Sequence, residues 1–140
     1  MNPYQKYRHQ EEPIGWTRID LLLALYDKAL ERLDRAEAAL RAGDRATAIP
    51  QLAKTQLIVT ELAAGVRVEV NPEANTNVLR LYEFVANELA KASFEAIASA
   101  RKVLRTLREG FEAVRAEANE LERTGRLPTA DQLRMVHATA

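Results

Sequence analysis

The chain predicts an all-α protein, an antiparallel four-helix bundle, and three observations carry that expectation. Apolar residues make up 47% and charged residues 29% of its 140 residues, with only five Gly and five Pro. That is the balance of an Ala-, Leu-, Glu- and Arg-rich helical domain long enough to bury a core. Apolar residues then recur at three- and four-residue spacing through four stretches, about 17–42, 44–64, 72–92 and 94–124. Finally, the links between these stretches are short, and short links make antiparallel neighbours.

The first helix has a marked start. Thr17 can cap it, with Asp20 three residues on reaching back to the Thr17 N–H, and Trp16 and Leu21 are placed as a hydrophobic staple. Its seam is Ile19, Leu22/Leu23, Tyr26, Leu30, Leu33 and Leu40, broken once by Glu37. From Leu21 to Tyr26 the helix is apolar all round, so this third needs cover on more than one side. Gly43-Asp44 ends the helix and can cap the second. There the expected seam is Ile49, Leu52, Gln56, Val59 and Ala63, with Ile58 and Leu62 as a second apolar row. Pro50 either starts this helix or sits within it, with a kink the favoured outcome. Val66 to Val70 alternates but has no partner strand, which predicts an extended crossover to the cap Asn71 and to Pro72 at the first helical position.

The third helix carries Val78, Leu81/Tyr82, Val85, Leu89 and Ala92; the fourth carries Ile97, Ala100, Leu104, Leu107, Phe111, Val114, Ala118 and Leu121 and should stop at Gly125. Only Ser93 marks the boundary between them. A turn there closes an antiparallel pair, whereas a continuous helix would send the fourth segment to another subunit, so a monomer and a swapped homodimer both remain open. Residues 1–16, with Pro3, Pro13 and Gly15, read as an extended N-terminal arm ahead of the bundle domain 17–125. Residues 126–140 read as a flexible tail in which Thr129 and Gln132 would support a short helix.

The chemistry is that of a binding protein. Twenty basic and twenty acidic side chains cancel, which argues against a nucleic-acid or anionic-membrane footprint. The longest apolar run is too short to insert in a membrane, and the polar start is no signal peptide. There is no cysteine, which fits a reducing cytoplasm. The two histidines, His9 and His137, lie near the ends, and no helix carries a Glu-x-x-His pair, a phosphate-cradling glycine loop or a Ser elbow. We therefore expect no enzyme, no metal and no cofactor. Arg101, Lys102, Arg105, Arg108, Arg115, Arg123 and Arg126 read as a solvated face paired with Glu109, Glu112, Glu117, Glu120 and Glu122. Tyr26 and Tyr82 lie on seams, either as core aromatics with hydroxyls at the rim or as part of a binding surface. Tyr4 and Tyr7 have no helix to justify them; aromatic anchors on a polar arm suit docking into an apolar groove.

These motifs together resemble the flagellar secretion chaperone FliS family. Its opening Asn-Pro-Tyr and second Tyr are matched by Asn2-Pro3-Tyr4 and Tyr7. Its capped first helix is matched by Thr17, Asp20, Leu21, Leu22, Leu25, Tyr26 and Asp27. The second-helix signature is present as Lys54, Gln56, Ile58, Glu61 and Leu62, and the third as Asn77, Val78, Leu81 and Tyr82. Leu107 and Arg108 precede Phe111 where the family has Trp, Ser93 replaces an Asn, Thr55 replaces an Ala, and the link between helices three and four is shorter. The resemblance covers about residues 2–111.

It implies a cytoplasmic chaperone that binds the C-terminal segment of flagellin, prevents premature polymerisation and aids type III export, with other flagellar export or regulatory proteins as further partners. The residues expected in the client groove are Leu21, Leu25, Tyr26, Gln56, Ile58, Leu62, Leu79 and Tyr82, with Tyr4 and Tyr7 gating from the arm. The alternative is a generic interaction module or self-assembling bundle. Solvent-reachable Leu21, Leu25, Ile58, Leu62 and Leu79 would support a client groove, and their burial by another copy the alternative.

Overall fold

A computed structural model describes residues 17–125. The helices there are α1 (Arg18–Arg41), α2 (Arg45–Ala64), α3 (Pro72–Lys91), α4 (Phe94–Ala113) and α5 (Arg115–Arg123). Each of the first four borders its sequence neighbours, and α4 closes the ring against α1. The last pairing is antiparallel, since Asp20, Asp27 and Asp34 meet Arg115, Arg108 and Arg101 in reverse order. The expected helical bundle is what forms.

Each of the first four helices starts on a residue whose side chain suits it. Asp20 accepts the Thr17 N–H at 3.1 Å, the Asp44 carboxylate accepts from Thr47 N, the Asn71 side chain from Ala74 N, and Ser93 Oγ from Ala96 N. Helix α1 ends on Gly43 at φ +74°, with Gly43 N bonded to Leu40 O and Asp44 N to Ala39 O, the paired bonds of a Schellman turn. The α3–α4 boundary is a real turn at Ala92 (φ 52°) and Ser93, so the continuous helix is not formed. Staple residue Trp16, the arm, and the tail with Thr129 and Gln132 lie outside the described residues.

Three expectations need correction, and the alternatives at Pro50 are decided. The fourth helix is not continuous over 94–124 but breaks at Val114, whose N–H bonds to Phe111 O three residues back; no residue of α5 is fully buried, so its apolar hold is weaker than that of α4. Of the two outcomes open at Pro50, the helix that contains it is the one formed: α2 begins at Arg45 and runs through Pro50, which is exposed, so the carbonyl it leaves unpaired can face water. The crossover is not extended throughout: Val70 N bonds to Arg67 O in a turn, and the Asn75 side chain clamps the same carbonyl at 2.8 Å. The α2 seam is Ala48, Leu52, Thr55, Val59 and Leu62, with Ile58 buried beside it, while Ile49 faces solvent. Thr55 tolerates that burial because its hydroxyl donates to Gln51 O at 2.8 Å.

One core fills the ring. Leu25, Tyr26, Ala29, Leu33 and Ala36 of α1 meet Leu52, Ile58, Val59 and Leu62 of α2, Val78, Tyr82, Val85 and Leu89 of α3, and Ile97, Ala100, Leu104 and Leu107 of α4. Each large aliphatic among them contributes roughly 1.5–3 kcal/mol by leaving water. Fully buried Ala29, Ala36 and Ala100 present only methyl groups at the seam, where small side chains let helices approach closely.

Candidate functional site

The residues expected in the groove sit mostly inside the bundle. Leu25, Tyr26, Ile58, Leu62 and Tyr82 belong to the core, Leu79 packs against it half-buried, and Leu21 is buried outside that cluster. Four of the five residues chosen as the test of an open groove are therefore covered within this chain, by neither solvent nor a second copy. Gln56 is half-buried and crosses to α3, donating from Nε2 to Ala86 O at 3.0 Å. Tyr4 and Tyr7 lie outside the described residues.

Tyr26 and Tyr82 are core aromatics, but their hydroxyls do not reach the rim. They bond each other 2.5 Å apart, and the Tyr26 ring lies 5.9 Å from that of Phe111. Burial pushes the Tyr26 phenol well above its ordinary pKa, with the neighbouring Tyr82 adding to the rise. Burial likewise raises Tyr82, to about 12 even against its hydrogen bond with Tyr26. Both stay neutral through any physiological range. Their bond satisfies two groups that would otherwise be buried alone.

The basic residues of α4 and α5 are not simply paired along their own helix. Arg108 Nε holds Asp27 at 2.6 Å, Arg101 holds Asp34 at 3.0 Å and Glu37 at 3.2 Å, and Arg115 holds Asp20 at 2.7 Å. Glu37, the break in the α1 seam, is thus a rim partner for Arg101. Burial pushes the Asp20 carboxyl up, but the Thr17 N–H, Arg115, the Thr17 hydroxyl and Asn119 together hold it below its ordinary pKa. On α2, burial raises the pKa of Glu61, whose Oε2 is enclosed without a hydrogen-bond partner. Among the described residues no cluster of His, Cys, Asp and Glu could hold a metal, and no helix is long and apolar enough to cross a membrane.

What the surface does offer is apolar. Leu57 on α2 is 65% exposed and Phe84 on α3 is 42% exposed, with Ile49 and Phe94 also outside. Phe84 edges a groove of about 330 Å³ between α3 and α4, lined also by Leu81, Ser99, Lys102, Val103 and Thr106. Arg41 stacks over Phe94, 5.4 Å from the ring centroid. Sequence reasoning passed over Leu57, Phe84 and Phe94; the available signal was that each is a large apolar residue off its helix seam.

Fold and surface together define a helical-bundle protein with apolar ground for a partner. Its particular kind is settled by comparison: the family described as Flagellar protein FliS matches residues 1–118. The chain belongs to that family, a family of flagellar export chaperones. No curated protein and no solved structure matches it.

Proposed function

We propose that this protein binds the C-terminal segment of flagellin in the cytoplasm, keeps it from polymerising and hands it to the type III export apparatus. The observation that carries the reading is the family match over residues 1–118, joined to large apolar side chains left on the outer faces of α2 and α3. A disordered, helix-forming client tail gains by laying apolar stripes on such faces, and a wide interface offsets its ordering cost. In this reading Leu57, Phe84, Leu79 and Gln56 meet the client directly. Leu25, Tyr26, Ile58, Leu62 and Tyr82 form the floor beneath, and Leu21 is reached when the N-terminal arm, with Tyr4 and Tyr7, gives way. Other flagellar export or regulatory proteins are further candidate partners.

The test is isothermal titration of the full chain with a peptide spanning the flagellin C-terminus of the same organism. Sub-micromolar binding with a negative heat-capacity change is expected. Leu57→Asp is the informative variant, because its side chain is 65% exposed and the bundle should fold unchanged. Ile58→Asp, at 7% exposure, would place a charge in the core and confuse binding with unfolding. Deleting residues 1–15 should leave the bundle folded and raise apolar-dye binding. No heat with the peptide, from a chain folded by circular dichroism, would refute the reading.

A further inference from the structure

Helix α5 is attached differently from the rest of the bundle. None of its residues is buried, and Val114, Ala118 and Leu121 are only half-buried. It is separated from α4 at Val114 (φ −105°, ψ 5°), the one residue between them. Its grip on α1 is polar. Asn119 accepts from the Thr17 hydroxyl and donates to Asp20, Arg115 pairs with Asp20, and Glu122 accepts the Arg18 N–H at 3.1 Å and pairs with the Arg18 guanidinium at 3.3 Å. These partners span a single turn of α1, and positions 115, 119 and 122 share one face of α5 at helical spacing.

The same first turns of α1 carry buried apolar residues that are not part of the main core. Ile19 and Leu23 are buried yet outside the core cluster. Leu23 stands three residues after Asp20 and four before Asp27, which both face the α4–α5 side through Arg115 and Arg108. It therefore lies on the stripe of α1 that α4 and α5 cover.

We propose that α5 is a polar strap that opens about Val114 and, in opening, uncovers Ile19 and Leu23 at the start of α1 while the four-helix core stays folded. Contacts between partly exposed charges are weakened by salt, whereas the apolar seam of α4 is not. The strap thus converts ionic conditions, or a competing charged partner, into exposure of an apolar surface. It does not depend on the identity of any client.

Hydrogen exchange on the full chain tests it. At low salt residues 115–123 should already exchange faster than 97–107. Raising salt to about 0.5 M, where screening is nearly complete within a few ångströms, should speed 115–123 about tenfold, with 97–107 unchanged. Arg115→Ala with Asn119→Ala should give the same gain at low salt and increase binding of an apolar dye. Thr17→Cys with Asn119→Cys joins positions whose side chains already bond, in a chain with no other cysteine, and should reverse both effects. Exchange of 115–123 in step with 97–107 under every condition would overturn the proposal, as would equal dye binding by the opened and crosslinked forms. Loss of 97–107 protection in the alanine variant would overturn it too, because α5 would then be part of the cooperative core.

Discussion

Removing the Tyr82 hydroxyl should cost more than removing both members of its pair. Tyr26 is fully buried and Tyr82 nearly so, and their hydroxyls bond at 2.5 Å. In Tyr82→Phe the Tyr26 hydroxyl keeps its burial and loses its partner, a penalty of about 1–3 kcal/mol. Tyr26→Phe should behave alike. The double variant leaves no orphan, and two phenyl rings of nearly unchanged volume should lie within about 1 kcal/mol of the parent. The coupling between the sites, both single costs less that of the near-neutral double variant, is then about 2–6 kcal/mol, measurable by urea titration at constant slope. Alkaline pH gives an independent reading. The Tyr82 pKa is raised from 10.0 to about 12 in the fold, so above pH 10 the unfolded chain loses its proton first. The stabilisation is complete below pH 10 and drains as pH climbs through 12, by roughly 3 kcal/mol for a shift of this size. The double variant should lack that component. Additive single-variant costs, or an alkaline slope unchanged in the double variant, would refute a shared buried bond.

Two further outcomes concern the turns. Gly43→Ala meets no atom within 4 Å of the added methyl but must hold φ +74°, so its cost of about 1 kcal/mol should be backbone strain and insensitive to neighbouring side chains. Chemical denaturation of Gly43→Ala beside Gly43→Asn, which tolerates that region, checks it. Ser93→Ala should cost about 1 kcal/mol by leaving Ala96 N uncapped, and Ser93→Gly only a few tenths. No loss in Ser93→Ala, by thermal unfolding, would show that the hydroxyl does not cap α4.

Much of this fold was legible because local chemistry decided it. Thr17, Asp44, Asn71 and Ser93 each start a helix at the place their side chains suggest, and Gly43 ends one. The break at Val114 was not legible, since Leu107, Phe111, Val114, Ala118 and Leu121 keep an unbroken heptad across it. What the heptad does not show is that α5 is held by contacts from the first turn of α1, about a hundred residues away. The turn at Arg67–Val70 likewise depends on Asn75, a side chain in the next helix. The candidate surface was legible only as a surplus of apolar residues. On α2, Ile58 and Leu62 fall inward and Leu57 outward because α1 and α3 flank this helix. Periodicity counts apolar rows but does not say which row meets a neighbour.

The same limit bears on how α4 finds its place on α1. Asp20, Asp27 and Asp34 are seven residues apart, and so are Arg101, Arg108 and Arg115, each acid meeting one arginine. A slide of one heptad would keep two of these three rungs and leave the leucine seam in step, so neither pattern alone specifies the register. Features that do not repeat must choose. Tyr26 is one, because its ring lies against Phe111 of α4 while its hydroxyl is bonded to Tyr82 of α3, tying three helices at one level. Glu37 is another, since Arg101 engages it together with Asp34 and a slid Arg101 would meet Asp27 instead, where the following turn offers Leu30. The buried tyrosine pair thus contributes more to the uniqueness of this packing than to its net stability, as a single buried polar contact does in coiled coils. The near-neutral double phenylalanine variant is where that distinction shows. Its stability should survive, while its amide spectrum should lose the sharp, single set of resonances that one register produces.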